Sequence, residues 1–209
     1  MSQVLSSRAR RGVRATPPRA ALATIRAARR ADLAPLGRHG AALARAHHEW
    51  DPARFFYLDD MEAGYSSWLG KELKNRRAVV LVAEQRGRVV GYAYGRIEPR
   101  DWNALRDTCG VAIDLFLEPR TRGGGLGRRL AVALLEGLAE LGAPRVILQA
   151  ASKNRDAQRF FRSLGFRPTF VEMTRELPAA AARVKGKTRS GARAKAGART
   201  GPHTGAKKP

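Results

Sequence analysis

Glu118-Pro119-Arg120-Thr121-Arg122-Gly123-Gly124-Gly125-Leu126-Gly127-Arg128 is the stretch on which the reading of this sequence turns. It separates an apolar run, Val111-Ala112-Ile113-Asp114-Leu115-Phe116-Leu117, from a segment with Leu126, Leu130, Leu134, Leu138 and Leu141 on one helical stripe. A strand therefore runs into a helix through a glycine-rich turn. At such a junction the first N–H groups of the helix lack internal partners and face the positive end of its dipole. Three successive glycines remove the Cβ atoms that would hold a diphosphate away from the backbone. Arg120, Arg122 and Arg128 add formal charge. A hydrogen bond to a charged group contributes about 1.5–3 kcal/mol, and the helix end adds ~0.3–2 kcal/mol. Several such donors account for most of a micromolar affinity, about −8 kcal/mol.

Two common phosphate motifs do not fit. No Gly-Lys-Ser/Thr follows the glycines, which removes the P-loop pattern, and Arg128 and Leu130 stand where a dinucleotide fingerprint needs glycine.

Upstream of this stretch, Thr24 to Ala28 reads as a first strand. Asp32 offers an N-cap, followed by Leu33, Leu36 and Leu43 at helical spacing. Residues 47–60, with His47-His48, read as irregular, and Met61, Tyr65, Trp68-Leu69 and Leu73 mark a second helix. Ala78 to Glu84 and Val89 to Ile97 form a hairpin about Gln85-Arg86-Gly87-Arg88. After the long helix, stopped by Gly142 and Pro144, come a strand over 145–150 and a helix over 155–164. A final strand or pair of strands is expected over 166–177. The order β-α-α-β-β-β-α-β-α-β predicts a single α/β domain with a mixed, mostly antiparallel sheet flanked by helices.

The chain of 209 residues has a formal net charge of +22 and 44% hydrophobic residues. Residues 1–20 carry five arginines and residues 178–209 nine Lys or Arg, neither with an acid, which leaves +8 for the part between. The expected organisation is a basic disordered tail over 1–22, a folded domain over 23–177 and a second basic disordered tail over 178–209. Such tails attract polyanions non-specifically. One cysteine, Cys109, allows no internal disulfide, and no apolar run approaches a membrane span. A cytoplasmic location is expected. The N-terminus lacks the apolar core of a secretory signal, although an organellar transit peptide shares its Arg- and Ser-rich composition.

Arg122-Gly123-Gly124-Gly125-Leu126-Gly127 resembles the acetyl-CoA motif of the GNAT N-acetyltransferases, Arg/Gln-x-x-Gly-x-Gly/Ala, at every defined position. Asn154 through Phe166, with Ala157, Phe160-Phe161 and Gly165-Phe166, is similar to that superfamily's second signature. Ile25-Arg26 and Ala31-Asp32-Leu33 are similar to its opening strand and helix. The resemblance covers roughly residues 24–177. It implies a GNAT-like fold and acetyl-CoA as co-substrate; no metal is expected, because no His, Cys or carboxylate cluster has metal-ligand spacing. It also implies that Leu115, Phe116 and Leu117 expose backbone to the pantetheine arm. The amides from Arg122 to Gly127 would hold the pyrophosphate, with Arg128 beside them, and Asn154 and Phe161 would meet the cofactor.

The sequence departs from the family at two points. Phe161 stands where many relatives carry a tyrosine acid, and Gln149 where some protein N-terminal acetyltransferases carry Glu. Asp114, the lone acid of an apolar strand, is the candidate general base, with the alternative that it is a partner-paired structural carboxylate. Tyr94, or Tyr92 on the same strand face, could orient substrate or relay a proton, or serve as core. Asp59, Asp60 and Glu62 beside Phe55, Phe56, Tyr57, Tyr65 and Trp68 could hold a cationic amine, or be a solvated loop. The function expected is acetyl transfer from acetyl-CoA to a primary amine of a small molecule or peptide. The alternative is a nucleic-acid-associated protein whose GNAT-like domain is a weak catalyst, scaffold or coenzyme A sensor.

Overall fold

The computed structural model describes residues 23–177. The tails read over 1–22 and 178–209 lie outside the described residues. Five strands, β1 (Ala23–Ala27), β2 (Ala78–Gln85), β3 (Arg88–Glu98), β4 (Cys109–Leu117) and β5 (Val146–Leu148), lie in sequence order across one sheet. The first three pairings are antiparallel, and β4 with β5 is parallel. The helices are α1 (Leu33–Trp50), α2 (Met61–Glu72), α3 (Leu126–Glu140) and α4 (Arg155–Ser163).

Alternation along β3 divides the core. Tyr92 and Tyr94 point to one face, where they pack with Val80, Val82, Leu36 of α1 and Leu69 of α2. Ala93 points to the other, with Ala83 and the α3 leucines 126, 130, 134 and 138. Each fully buried leucine contributes roughly 1.5–3 kcal/mol. Small residues let α3 lie close to the sheet. A Cβ on Gly95 would sit 2.7 Å from the Val111 carbonyl and 3.2 Å from Leu138. On the opposite face, α1 and α2 touch through glycine. A Cβ on Gly40 would fall 2.2 Å from the Tyr65 ring, and one on Gly37 2.2 Å from Ser66 Oγ.

Several expectations are corrected. The first helix runs on to Trp50, so His47 and His48 are in its last turn and not in a loop. No residue between them and Leu43 breaks a helix, and their Nδ1 atoms are occupied by the carbonyls of Leu43 and Phe55 at 2.9 and 2.7 Å. Asp32 stands at the N-cap position without capping. Its carboxylate takes two bonds from Arg26, at 2.7 and 2.9 Å, and one from the Arg29 amide. The Arg26 guanidinium holds that carboxyl below its usual range, and burial opposes the effect.

The final strand expected over 166–177 is not formed. Residues 166–177 have no regular structure, and 172–177 belong to a second unit. Alternating side chains favour a strand, but a strand needs a ladder, and Pro168 brings no N–H to one.

Candidate active site

The site is organised by one irregularity in β4. Tyr94 is opposite Asp114 and Gly95 is opposite Ala112, so Ile113 is an extra residue, a β-bulge. On its other edge β4 pairs with β5 only at Gly110, Val111 and Ala112. The bulge and the end of that pairing coincide. A bulge increases local twist, and from Ile113 to Leu117 β4 continues without β5 beside it. Leu115, Phe116 and Leu117 lie along this open edge. Their side chains are spoken for, with Leu115 and Leu117 in the α3 core and Phe116 in the core under α1 and α2.

The glycine loop follows at the end of the open edge. Gly123 and Gly125 have φ of 82° and 83°, a left-handed conformation that favours glycine, and a Cβ at either would meet nothing within 4 Å. The space in front of the loop is therefore free. No side chain caps α3, and the amides from Gly123 to Arg128 donate to no group among the described residues. These are the unsatisfied donors that a diphosphate would satisfy. Arg122 folds back, with Nε donating to the Leu117 carbonyl at 3.0 Å and the guanidinium 5.9 Å from the Phe116 ring. Arg128 reaches across to the Ser163 carbonyl at 2.9 Å and ties α3 to α4, so its side chain is engaged while its amide remains free. Asn154 caps α4, with Oδ1 accepting from the Ala157 amide at 3.1 Å. Its Nδ2 has no described partner.

Asp114 faces the α1–α2 side and is buried. Tyr92 Oη donates to its Oδ2 at 2.9 Å. Burial raises its pKa to about 6, against the opposing effects of the Tyr92 hydrogen bond and the nearby His47. No described group donates to Oδ1. Asp114 also acts electrostatically on Tyr65, whose hydroxyl is pushed up mainly by burial. An apolar wall, one hydrogen bond and one open oxygen suit a proton acceptor near neutrality.

A model of the acetyltransferase (GNAT) family matches residues 43–166. The chain belongs to this GNAT family. It is 30% identical over 129 residues to a mycothiol acetyltransferase of Thermomonospora curvata, a match covering 58% of this chain and 40% of that enzyme. It thus spans well under half the length of that relative. Among solved structures, a tetramutant of the BH1408 protein from Bacillus halodurans superposes with a TM-score of 0.63 at 23% identity, covering 74% of this chain and 99% of the other. The aminoglycoside N-acetyltransferase AAC(6')-Iy, solved in complex with CoA, has the same fold at 18% identity and a TM-score of 0.56, with 74% and 94% covered.

Within this GNAT frame the remaining residues can be placed. Tyr94 does not reach Asp114. Its hydroxyl is buried without a hydrogen bond, and Glu72 and Arg96 are the charged groups acting on it. Its ring stands edge-on to Trp68 at 5.1 Å. The tyrosine that touches the carboxylate is Tyr92. Phe161 packs edge-on with Phe160 and Phe166 at 5.1 and 5.7 Å. Gln149 is exposed just beyond β5, and Asp59, Asp60 and Glu62 are exposed before and at the start of α2.

Sequence reasoning passed over His39. It is buried on α1 against Phe116, with ring centroids 5.1 Å apart, and its Nε2 lies 3.3 Å from Glu118 Oε1. Burial lowers its pKa, which the Glu118 carboxylate opposes. Its Nδ1 is buried without a partner. The signal was present, since His39 is three residues after Leu36 and shares its inward stripe. No group of three His, Cys, Asp or Glu among the described residues could hold a metal ion. No described helix is long and apolar enough to cross a membrane.

Proposed function

We propose that this protein transfers the acetyl group of acetyl-CoA to a primary amine, with Asp114 as general base. The observation carrying this reading is the position of Asp114 on the strand that ends in the phosphate loop. It follows immediately on the bulge that leaves the rest of β4 with a free edge. One strand thereby offers backbone to the pantetheine arm, amides to the diphosphate through the loop after it, and a carboxylate to the acceptor.

The proton inventory supports a base over an acid. An amine with a pKa of about 10.4 is neutral in only about one molecule in 2,500 at pH 7, a cost of roughly 4.6 kcal/mol. Asp114 accepts the ammonium proton, the freed nitrogen lone pair attacks the thioester carbonyl carbon, and the C–N bond forms. The resulting oxyanion collapses, the C–S bond breaks and coenzyme A leaves as a thiolate, while the second proton on the nitrogen, now cationic, is released to solvent or to the departed thiolate as the neutral amide forms. With a reference thiol pKa of about 8.5, that thiolate departs without a proton from the protein. Phe161 is compatible with this chemistry, because the acid it replaces is the less needed group. Tyr92 holds Oδ2 and so aims Oδ1.

Asp114 faces the α1–α2 side with His47 and Tyr65 as its charged or polar neighbours, so the acceptor is expected from that side. The relatives do not choose it, since one is named for mycothiol and another for aminoglycosides. The test is coenzyme A release from acetyl-CoA over a panel of primary amines. Release that needs both amine and protein is expected. Release no faster than hydrolysis with every amine would contradict the reading.

A further inference from the structure

A cleft of about 370 Å³ opens beside the glycine loop, between the loop and the turn joining β2 to β3. Arg86 and Arg88 line it from the turn, and Arg120 and Arg122 from the loop, with Glu118 as the one carboxylate. Glu118 is already engaged, by Arg88 at 3.2 Å and by His39 at 3.3 Å. Arg86 and Arg120 make no ion pair or side-chain hydrogen bond among the described residues. Two unpaired guanidinium groups thus converge on one concave surface. The backbone amides that suit a diphosphate lie in the loop forming one wall, so the turn arginines opposite call for a second anionic group.

The turn itself places a charged side chain where the backbone does not favour one. Arg86 has a φ of 52° and Gly87 of 73°, so both central residues are left-handed, as in a type I′ turn. Asn or Gly favours the first of these positions, and an arginine there is strained. Local stability alone does not explain it.

We propose that this cleft is a phosphomonoester site that takes the 3′-phosphate of the co-substrate, with Arg86 and Arg120 as its principal ligands. Coenzyme A carries two separated anionic groups, the diphosphate and the 3′-phosphate on its ribose, which match the two donor sets. The proposal rests on the reading of this chain as an acetyl-CoA-binding protein. Arg88 is less available than its neighbours, because it already compensates Glu118.

Calorimetry with CoA and with 3′-dephospho-CoA at one low ionic strength tests it. The native protein is expected to bind CoA about tenfold or more tightly than dephospho-CoA, the scale of a charge-assisted hydrogen bond or two at a solvent-open site. In an Arg86→Asn/Arg120→Gln variant that ratio should fall to about one, because CoA binding weakens about tenfold more than dephospho-CoA binding. Asn suits the left-handed turn, so the variant should melt no lower than the native chain. The single Arg120→Gln variant, in which the turn is untouched, should retain about a third of the discrimination. Arg76→Gln, an equal charge change at the far end of β2, should keep the native ratio. Equal affinity of the native protein for both ligands would overturn the 3′-phosphate site alone. So would equal weakening of both ligands in the double variant. Failure of the native protein to bind either ligand would overturn the acetyl-CoA reading, and the site with it.

Discussion

Tyr92 Oη and Asp114 Oδ2 are 2.9 Å apart, in a diagonal hydrogen bond between β3 and β4 that lies beside the β4 bulge. The bond favours the carboxylate, whereas burial favours the acid and prevails, so that Asp114 has a pKa of about 6. A base must be deprotonated. The rate at saturating acetyl-CoA should therefore rise with pH through about 6 and level off above it. Tyr92→Phe removes a bond to the charged form, and the limb should move to higher pH by about one pH unit. A profile that stays in place in Tyr92→Phe would dissociate Asp114 from the acid limb.

Asp114→Asn separates catalysis from structure. A general base contributes about 10²–10⁴ in rate, and that loss is expected in initial rates at pH 7.5. Stability should move the other way. The folded pKa lies above the unfolded one, so the native state binds the extra proton between pH 3.8 and about 6, and stability falls across that window as pH rises. The ionised carboxylate then destabilises the fold at neutral pH by an amount on the order of 3 kcal/mol, which Asn would relieve. Thermal melts should show a Tm equal to or above the native value. A fully active Asn variant would assign the base to another group.

Phe161→Tyr places a hydroxyl at the position where the GNAT resemblance implies a tyrosine acid. Thiolate departure is the easier proton problem, so kcat should change by less than about tenfold. A larger gain would mean that protonation of the leaving group limits the proposed reaction in the native protein.

The contact between α1 and α2 makes a paired prediction about stability. Gly40→Val would put its Cβ 2.2 Å from Tyr65 Cδ1, and overpacking of this kind costs about 1–3 kcal/mol. Gly64 is on α2 with nothing within 4 Å of an added Cβ. Gly64→Ala should therefore stabilise by about 0.4–1 kcal/mol through chain entropy and helix propensity. Denaturant titrations giving the same sign for both would refute this account of the contact.

What could be read in the sequence followed from residue chemistry. The glycine loop, the α3 leucines and an isolated acid in an apolar strand announce themselves by type and spacing. The bulge at Ile113 does not, because an extra residue in a strand is defined only by its partner, and Ile is at home in any strand. Gly37 and Gly40 read as weak points of a helix until α2 is seen lying against them. Tyr92 and Tyr94 are indistinguishable by alternation, and only the diagonal reach of Tyr92 to Asp114 separates them. The missing strand over 166–177 shows the converse. Its alternation was legible, but pairing depends on an edge that β5, three residues long, defines poorly.

We propose that the loop from Arg122 to Gly127 holds acetyl-CoA by its backbone. Isothermal titration of acetyl-CoA into the native chain and into Gly125→Val tests it most directly, with a melt to confirm folding. Gly125 has a φ of 83° and open space in front of it, so a β-branched side chain would disturb the loop and occupy the approach of the diphosphate. Micromolar binding to the native protein, weakened by at least about tenfold in a folded Gly125→Val, is the expected result. An unchanged affinity in that folded variant would place the diphosphate elsewhere.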